Sequence, residues 1–120
     1  ECSLHLWPNF VMLNLSGEYF TLECINRISL ITEEVSELAK AFSMKNVVLM
    51  ADALADLLYV TYGTACTIGI DLEEVFNEVH TSNMTKNGVH GLKILKGNEY
   101  RAPNLRLLLE KQGLLRHEDI

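Results

Sequence analysis

The chain has 120 residues, 48% hydrophobic and 22% charged, with a net charge of −6. That length suits one domain with its own core and is too short for two, and the composition is that of a folded globular chain, not a disordered one. The charge is uneven: residues 1–85 hold twelve acids against three bases, a balance of −9, whereas residues 86–120 hold seven bases against four acids, a balance of +3. An acidic chain is a poor general nucleic-acid binder. A basic tail beside an acidic body suits a small phosphorylated ligand held through a divalent cation.

Residues 1–20 are apolar without a clean period, and Pro8-Asn9 and Ser16-Gly17 read as turns. This segment, with Trp7 and Met12, is expected to pack across another surface or a partner subunit. A chain opening with Glu1 is expected to have lost some N-terminal sequence. The first helix is expected from Glu18–Thr21 to about Ser43, because Ile25, Ile28, Ile31, Val35, Leu38 and Phe42 recur at three- and four-residue steps. Met44-Lys45-Asn46 makes a turn, with Asn46 as N-cap of the next helix.

That second helix, Val47 to about Ile68, is apolar nearly all round and is expected in the interior. Asp52 and Asp56 would then stand where a lone carboxylate is costly unless paired or coordinated. Tyr59 and Tyr62 read as core residues with satisfied hydroxyls. Gly63 and Ala65 allow close approach of another helix, and Gly69 ends the helix as a C-cap. Val47–Ile70 is long enough to cross a bilayer, but each aspartate would cost on the order of 3 kcal/mol there, so no membrane association is expected.

Asp71 caps a third helix, with Leu72, Val75, Phe76 and Val79 on one face, running through Asn83 to about Lys86. His80 reads as structural. Residues 87–102 carry three glycines and are not helical. Asn104 caps a last short helix, Leu105–Gln112, closed by Gly113. The class is all-α. Cys2, Cys24 and Cys66 are odd in number and widely spaced, which reads as reduced thiols in a cytoplasmic protein, with Cys66 in the core.

The chemistry concentrates in Leu30–Leu38. On a helix Glu34 and Glu37 stand at i,i+3 and Glu33 and Glu37 at i,i+4, so three carboxylates share one side. Like charges at such spacings oppose the helix by roughly 0.2–0.5 kcal/mol per pair. A solvated acidic face is one reading. The apolar stripe beside the acids, and Asp52 and Asp56 at i,i+4 on the next helix, favour a metal site. All-carboxylate donors suit Mg²⁺, which binds one or two carboxylates and leaves positions for water and phosphate oxygens. No Walker-type loop is present. A di-iron site would want Glu-x-x-His, but the residues three before His5, His80, His90 and His117 are Cys2, Asn77, Asn87 and Leu114. No Cys/His cluster is spaced for zinc.

EEVSEL, then DALADLLYVTYGTACTIGIDLEEVFNEVHTSNMTK, then GLKILKGNEYRAPNL together resemble the all-α nucleoside triphosphate pyrophosphohydrolases over roughly Ile28 to Leu115. That group includes MazG-like enzymes, dimeric dUTPases and phosphoribosyl-ATP pyrophosphohydrolases, and the tail is similar to the last branch. The resemblance implies a MazG-like helical bundle with a short irregular C-terminal tail, assembled as a homodimer or homotetramer. It also implies cleavage of a (d)NTP to (d)NMP and pyrophosphate with Mg²⁺ or Mn²⁺; alternatives are phosphoribosyl-ATP hydrolysis, or a weakly active helical module for oligomerisation or ligand sensing. Glu34, Glu37 and Asp56 match metal ligands, with Asp52 the next candidate, and Glu33 matches a glutamate that positions or deprotonates water. Asn83 and Lys86 match the Asn-x-x-Lys that approaches the nucleotide; Lys93, Lys96 and Tyr100 match a tail expected to contact phosphate or base. The chain departs from the usual Glu-x-x-Asp of the second helix: Ala53 stands three before Asp56, and Leu49 three before Asp52. It also has Asn104 where the tail usually has Asp.

Overall fold

The computed structural model describes residues 18–115; the expectations for the first segment, Trp7 and Met12 among them, lie outside the described residues. Glu18–Ser43 forms α1, Val47–Ile68 α2, Leu72–Met84 α3, Gly88–His90 β1, Lys93–Leu95 β2 and Leu105–Lys111 α4. The fold is therefore predominantly helical, with one small hairpin in the tail. The chain divides after Gly69 into two compact units.

The first unit is the α1–α2 hairpin. Lys45 takes the left-handed conformation (φ 51°) at the turn. The Asn46 side chain then accepts from the backbone N–H groups of Val48 (3.0 Å) and Leu49 (3.2 Å), satisfying donors that a helix start leaves free. At the far end Gly69 (φ 88°) donates its N–H to the carbonyls of Ala65 (2.9 Å) and Cys66 (3.1 Å), the C-cap expected of a glycine there.

Only small side chains are fully buried between these helices: Ala41 from α1, and Ala53, Gly63, Ala65, Cys66 and Thr67 from α2. The seam on α1 runs through Leu30, Ile31, Glu34, Leu38 and Ala41, all buried or half-buried. The regular stripe of Ile25, Ile28, Val35 and Phe42 is instead exposed. The interior position expected of α2 does not hold either: Val48 is 77% exposed and Tyr59 and Tyr62 also face outward. One neighbouring helix covers one face, and an all-round apolar helix needs several. Among the described residues one helix, α2, is long and apolar enough to cross a membrane. Cys24 is a free thiol, whereas Cys66 is disulfide-bonded, which corrects the expectation that it would be reduced.

In the second unit Asp71 caps α3, its carboxylate accepting from the Glu74 N–H (3.4 Å), and Glu73 and Glu74 in the first turn suit the positive end of the helix dipole. The helix stops at Met84, short of the expected Lys86, because Thr85 turns its hydroxyl back to the Ser82 carbonyl (2.7 Å). His80 stacks on Phe76 one turn away, on an exposed face of α3. The non-helical stretch contains an antiparallel pairing, Gly88 with Leu95, Val89 with Ile94 and His90 with Lys93. The Asn104 side chain accepts from the Leu107 N–H (3.3 Å) at the start of α4. At its end Gln112 clamps the start of α3: its carbonyl accepts from the Asp71 N–H (3.0 Å), and its amide donates to the Asp71 carbonyl (3.2 Å) and Glu74 Oε2 (3.0 Å).

Candidate functional site

Glu34 is the centre of the acidic group. It lies in the α1–α2 seam, half-buried, and its Oε2 is inaccessible and without a hydrogen-bond partner. Burial, and after it the charges of Asp56, Glu37, Glu33 and Asp52, hold its carboxyl above the ordinary glutamate range. Four of the five expected acids thus act on the fifth, Glu34. Glu33, Glu37, Asp52 and Asp56 are themselves exposed, so the expectation that the two aspartates stand in an apolar interior is corrected. The reason is that they stand at an open edge of the α1–α2 seam, close enough to act on Glu34, with Asp52 lining a cleft there. Among the described residues, no three His, Cys, Asp or Glu side chains form a group able to hold a metal ion. The donor set nevertheless fits a hard divalent cation held by one or two carboxylates with water completing its shell.

A cleft of about 250 Å³ opens beside this group, lined by Glu37, Lys40, Ala41, Met44, Leu49, Asp52 and Ala53. It brings one acid of α1 and one of α2 to the same opening. Ala53 is buried at its wall, so the position at which the sequence lacks a fourth motif carboxylate faces the acids.

The basic residues gather around Tyr100. The Lys96 ammonium sits 4.7 Å from the centre of its ring. A side-chain hydrogen bond with Ser82, then the charges of Lys96 and Lys86, hold the phenol below its ordinary range against the opposing effect of burial. Lys96 and Tyr100 therefore come together, and the charge of Lys86 acts on the same phenol. Lys93 on β2 and Asn83 in the last turn of α3 are exposed, and the Lys86 N–H donates to the Asn83 carbonyl (3.1 Å).

Spacing gave no sign of the residues that hold Arg101 in place. The Ser82 hydroxyl donates to the Arg101 carbonyl (2.6 Å), and Thr85 Oγ1 accepts from the Arg101 N–H (2.8 Å). Glu78 Oε1 accepts from Arg101 Nη1 (2.9 Å) and from the Asn104 N–H (2.8 Å). Arg101, followed by the Asn104 N–H, keeps the Glu78 carboxyl below the ordinary range. Farther along, Asn87 donates to Glu99 (3.2 Å), and Gly97 passes so close to the Asn87 side chain that a Cβ would collide with it.

A model of the family described as phosphoribosyl-ATP pyrophosphohydrolase matches residues 16–83, just over half of the chain. The chain belongs to this family. The matched span of the pyrophosphohydrolase domain contains the five candidate acids Glu33, Glu34, Glu37, Asp52 and Asp56 together with Glu78, Ser82 and Asn83, and leaves the hairpin and α4 outside. An uncharacterized protein of Acanthamoeba polyphaga mimivirus is 45% identical over 47 residues, which is 39% of this chain and 19% of that protein. The chain thus spans about a fifth of that relative's length. Family membership implies a hydrolase of the pyrophosphohydrolase type.

Proposed function

We propose that the chain hydrolyses the α–β phosphoanhydride of a nucleotide triphosphate group and releases pyrophosphate, with Mg²⁺ or Mn²⁺ held by the acids of α1 and α2. The observation that carries this reading is the half-buried Glu34, with one unpartnered oxygen and four further carboxylates acting on it. Such an arrangement is unfavourable by itself and is relieved by a cation. Phosphoribosyl-ATP, named by the family match, is the leading substrate; a (d)NTP carries the same triphosphate group.

In this reading Glu34, Glu37 and Asp56, with Asp52 beside them, hold the cation. When bound, it neutralises phosphate oxygens and lowers the pKa of water. Glu33, exposed on α1, orients the attacking water and accepts its proton as the oxygen bonds to the α-phosphorus. The bond from that phosphorus to the bridging oxygen breaks, and the electron pair leaves with pyrophosphate. Lys86, Lys96 and Tyr100, with Asn83 and Lys93, are the candidates for phosphate or base contacts. The outward stripe of α1 and the open face of α2 support a homodimer or homotetramer.

Buried Ala53 in place of a carboxylate favours a second reading, a weakly active module used for assembly or ligand sensing. A panel of phosphoribosyl-ATP and the common nucleoside triphosphates, with and without Mg²⁺, separates the two. The enzyme reading expects a monophosphate product and pyrophosphate with at least one member. Release of orthophosphate alone, or no turnover with any member, overturns it. Light scattering should give at least twice the mass of one chain; a monomer at micromolar concentration defeats the assembly reading.

A further inference from the structure

The cleft of about 250 Å³ beside the acids is not lined by carboxylates alone. Glu37 of α1 and Asp52 of α2 contribute one each, and Lys40 stands in the wall with them. Lys40 follows Glu37 by three residues, so the two share one side of α1. A lysine in the last turn of a helix ordinarily answers the negative end of the helix dipole. This one also opens onto two acids. Among the described residues Lys40 nevertheless forms no ion pair, so its ammonium charge stays in the cleft without being bound to either carboxylate.

The same cleft contains both positions at which the chain lacks a fourth motif carboxylate. Leu49 stands three before Asp52 and Ala53 three before Asp56, and both line the wall. Ala53 is 4% exposed and brings only a methyl group there. A glutamate at either position would give the cleft three carboxylates. Instead it has two carboxylates and one ammonium, which leaves a single net negative charge. A divalent cation entering this cleft would meet too little negative charge to balance it, and a like charge beside it.

We infer that Lys40 takes, within the chain, the place that a second divalent cation would hold, so that the acid group accepts one cation and not two. The inference rests on the metal-dependent reading above and names what limits it. Lys40 is a positioning residue and not a ligand, since an ammonium group has donors only. It keeps a cation away from Asp52 and leaves the cation that does bind to Glu34, Glu37 and Asp56.

The test is titration of the full chain with Mn²⁺, the free ion being counted by its electron paramagnetic resonance signal. The parent should bind one Mn²⁺ per chain. Lys40 is exposed, so its variants leave the packing intact. Lys40→Gln should bind Mn²⁺ roughly five-fold more tightly, because a like charge is gone, and the gain should shrink as salt rises. Lys40→Arg keeps the charge and should match the parent. Leu49→Glu returns a carboxylate to the cleft wall; with Lys40 kept it should still bind one Mn²⁺, and combined with Lys40→Gln it should bind two. Two Mn²⁺ per parent chain, no tightening in Lys40→Gln, or a Lys40→Arg that behaves like Lys40→Gln would overturn the inference. So would a single Mn²⁺ in the combined variant. The Lys40 response in a protein without turnover would keep the inference and reject the hydrolytic reading; turnover with two Mn²⁺ per parent chain would do the reverse.

Discussion

Each of the two units of this chain is held by its own means, and the two means are opposite. In the α1–α2 hairpin, small side chains let two helices approach closely, and the charged groups repel one another around Glu34. In the α3–tail unit, few side chains are fully buried and the charges are paired: Glu78 with Arg101, Arg106 with Glu110. Packing is the structural element of the first and hydrogen bonding that of the second. The contrast teaches where function can reside, since the Glu34 oxygen, buried without a partner among like charges, is costly unless a ligand answers it.

The largest effect that sharpens this contrast is on turnover. Glu33→Gln should keep metal and nucleotide binding but lose roughly 10²–10⁴-fold in kcat, the range for a general base. Glu37→Gln should weaken metal binding as well. Full activity in Glu33→Gln would remove it from the chemistry and leave the acidic group as a binding feature only.

A smaller effect tests the packing side. Ala65→Leu places a large side chain in the helix seam and should cost about 1–3 kcal/mol by denaturant unfolding. Phe76→Ala on the open face of α3 should change stability by less than about 0.5 kcal/mol, the usual range for surface positions. Equal losses would mean that the units do not differ in how they are held. Smaller again, Asn46→Ala removes the α2 cap and should cost about 1 kcal/mol, read as a lower midpoint with an unchanged slope.

The subtlest test is pH, where two glutamates should act with opposite sign. Glu78 titrates below the ordinary glutamate range in the folded chain. Its contribution is therefore present above that range and fades as pH falls through it toward the folded value. Glu78→Gln should flatten that acid limb. Glu34 titrates above the ordinary range, so its ionisation costs stability that appears as pH rises through the ordinary range and is complete above the folded value. Glu34→Gln should make the metal-free protein more stable near neutrality, and millimolar Mg²⁺ should raise the melting temperature of the parent more than that of the variant. Melting curves across pH that show the same sign for both glutamates would break the comparison.

Much of this was legible without a structure, for reasons local to the chain. The bounds of α1 and α2, the caps at Asn46, Asp71 and Asn104, and the glycine stop at Gly69 follow from hydrogen-bond donors and acceptors a few residues apart. The acids of α1 and α2 were visible as candidates because helical spacing places side chains along the axis. Periodicity alone misjudged which apolar face α1 would bury, since Ile25, Ile28, Val35 and Phe42 stayed outside and the seam took Leu30, Ile31 and Leu38. The same folding decided that Glu34, and not its neighbours, would lose solvent. The grip of Glu78, Ser82 and Thr85 on Arg101 joins residues 16–23 positions apart, and no local pattern marks such a pair. Propensity and capping act within a turn of helix; burial and long-range hydrogen bonds depend on which surfaces meet, and in this chain those meetings select the carboxylate that is strained.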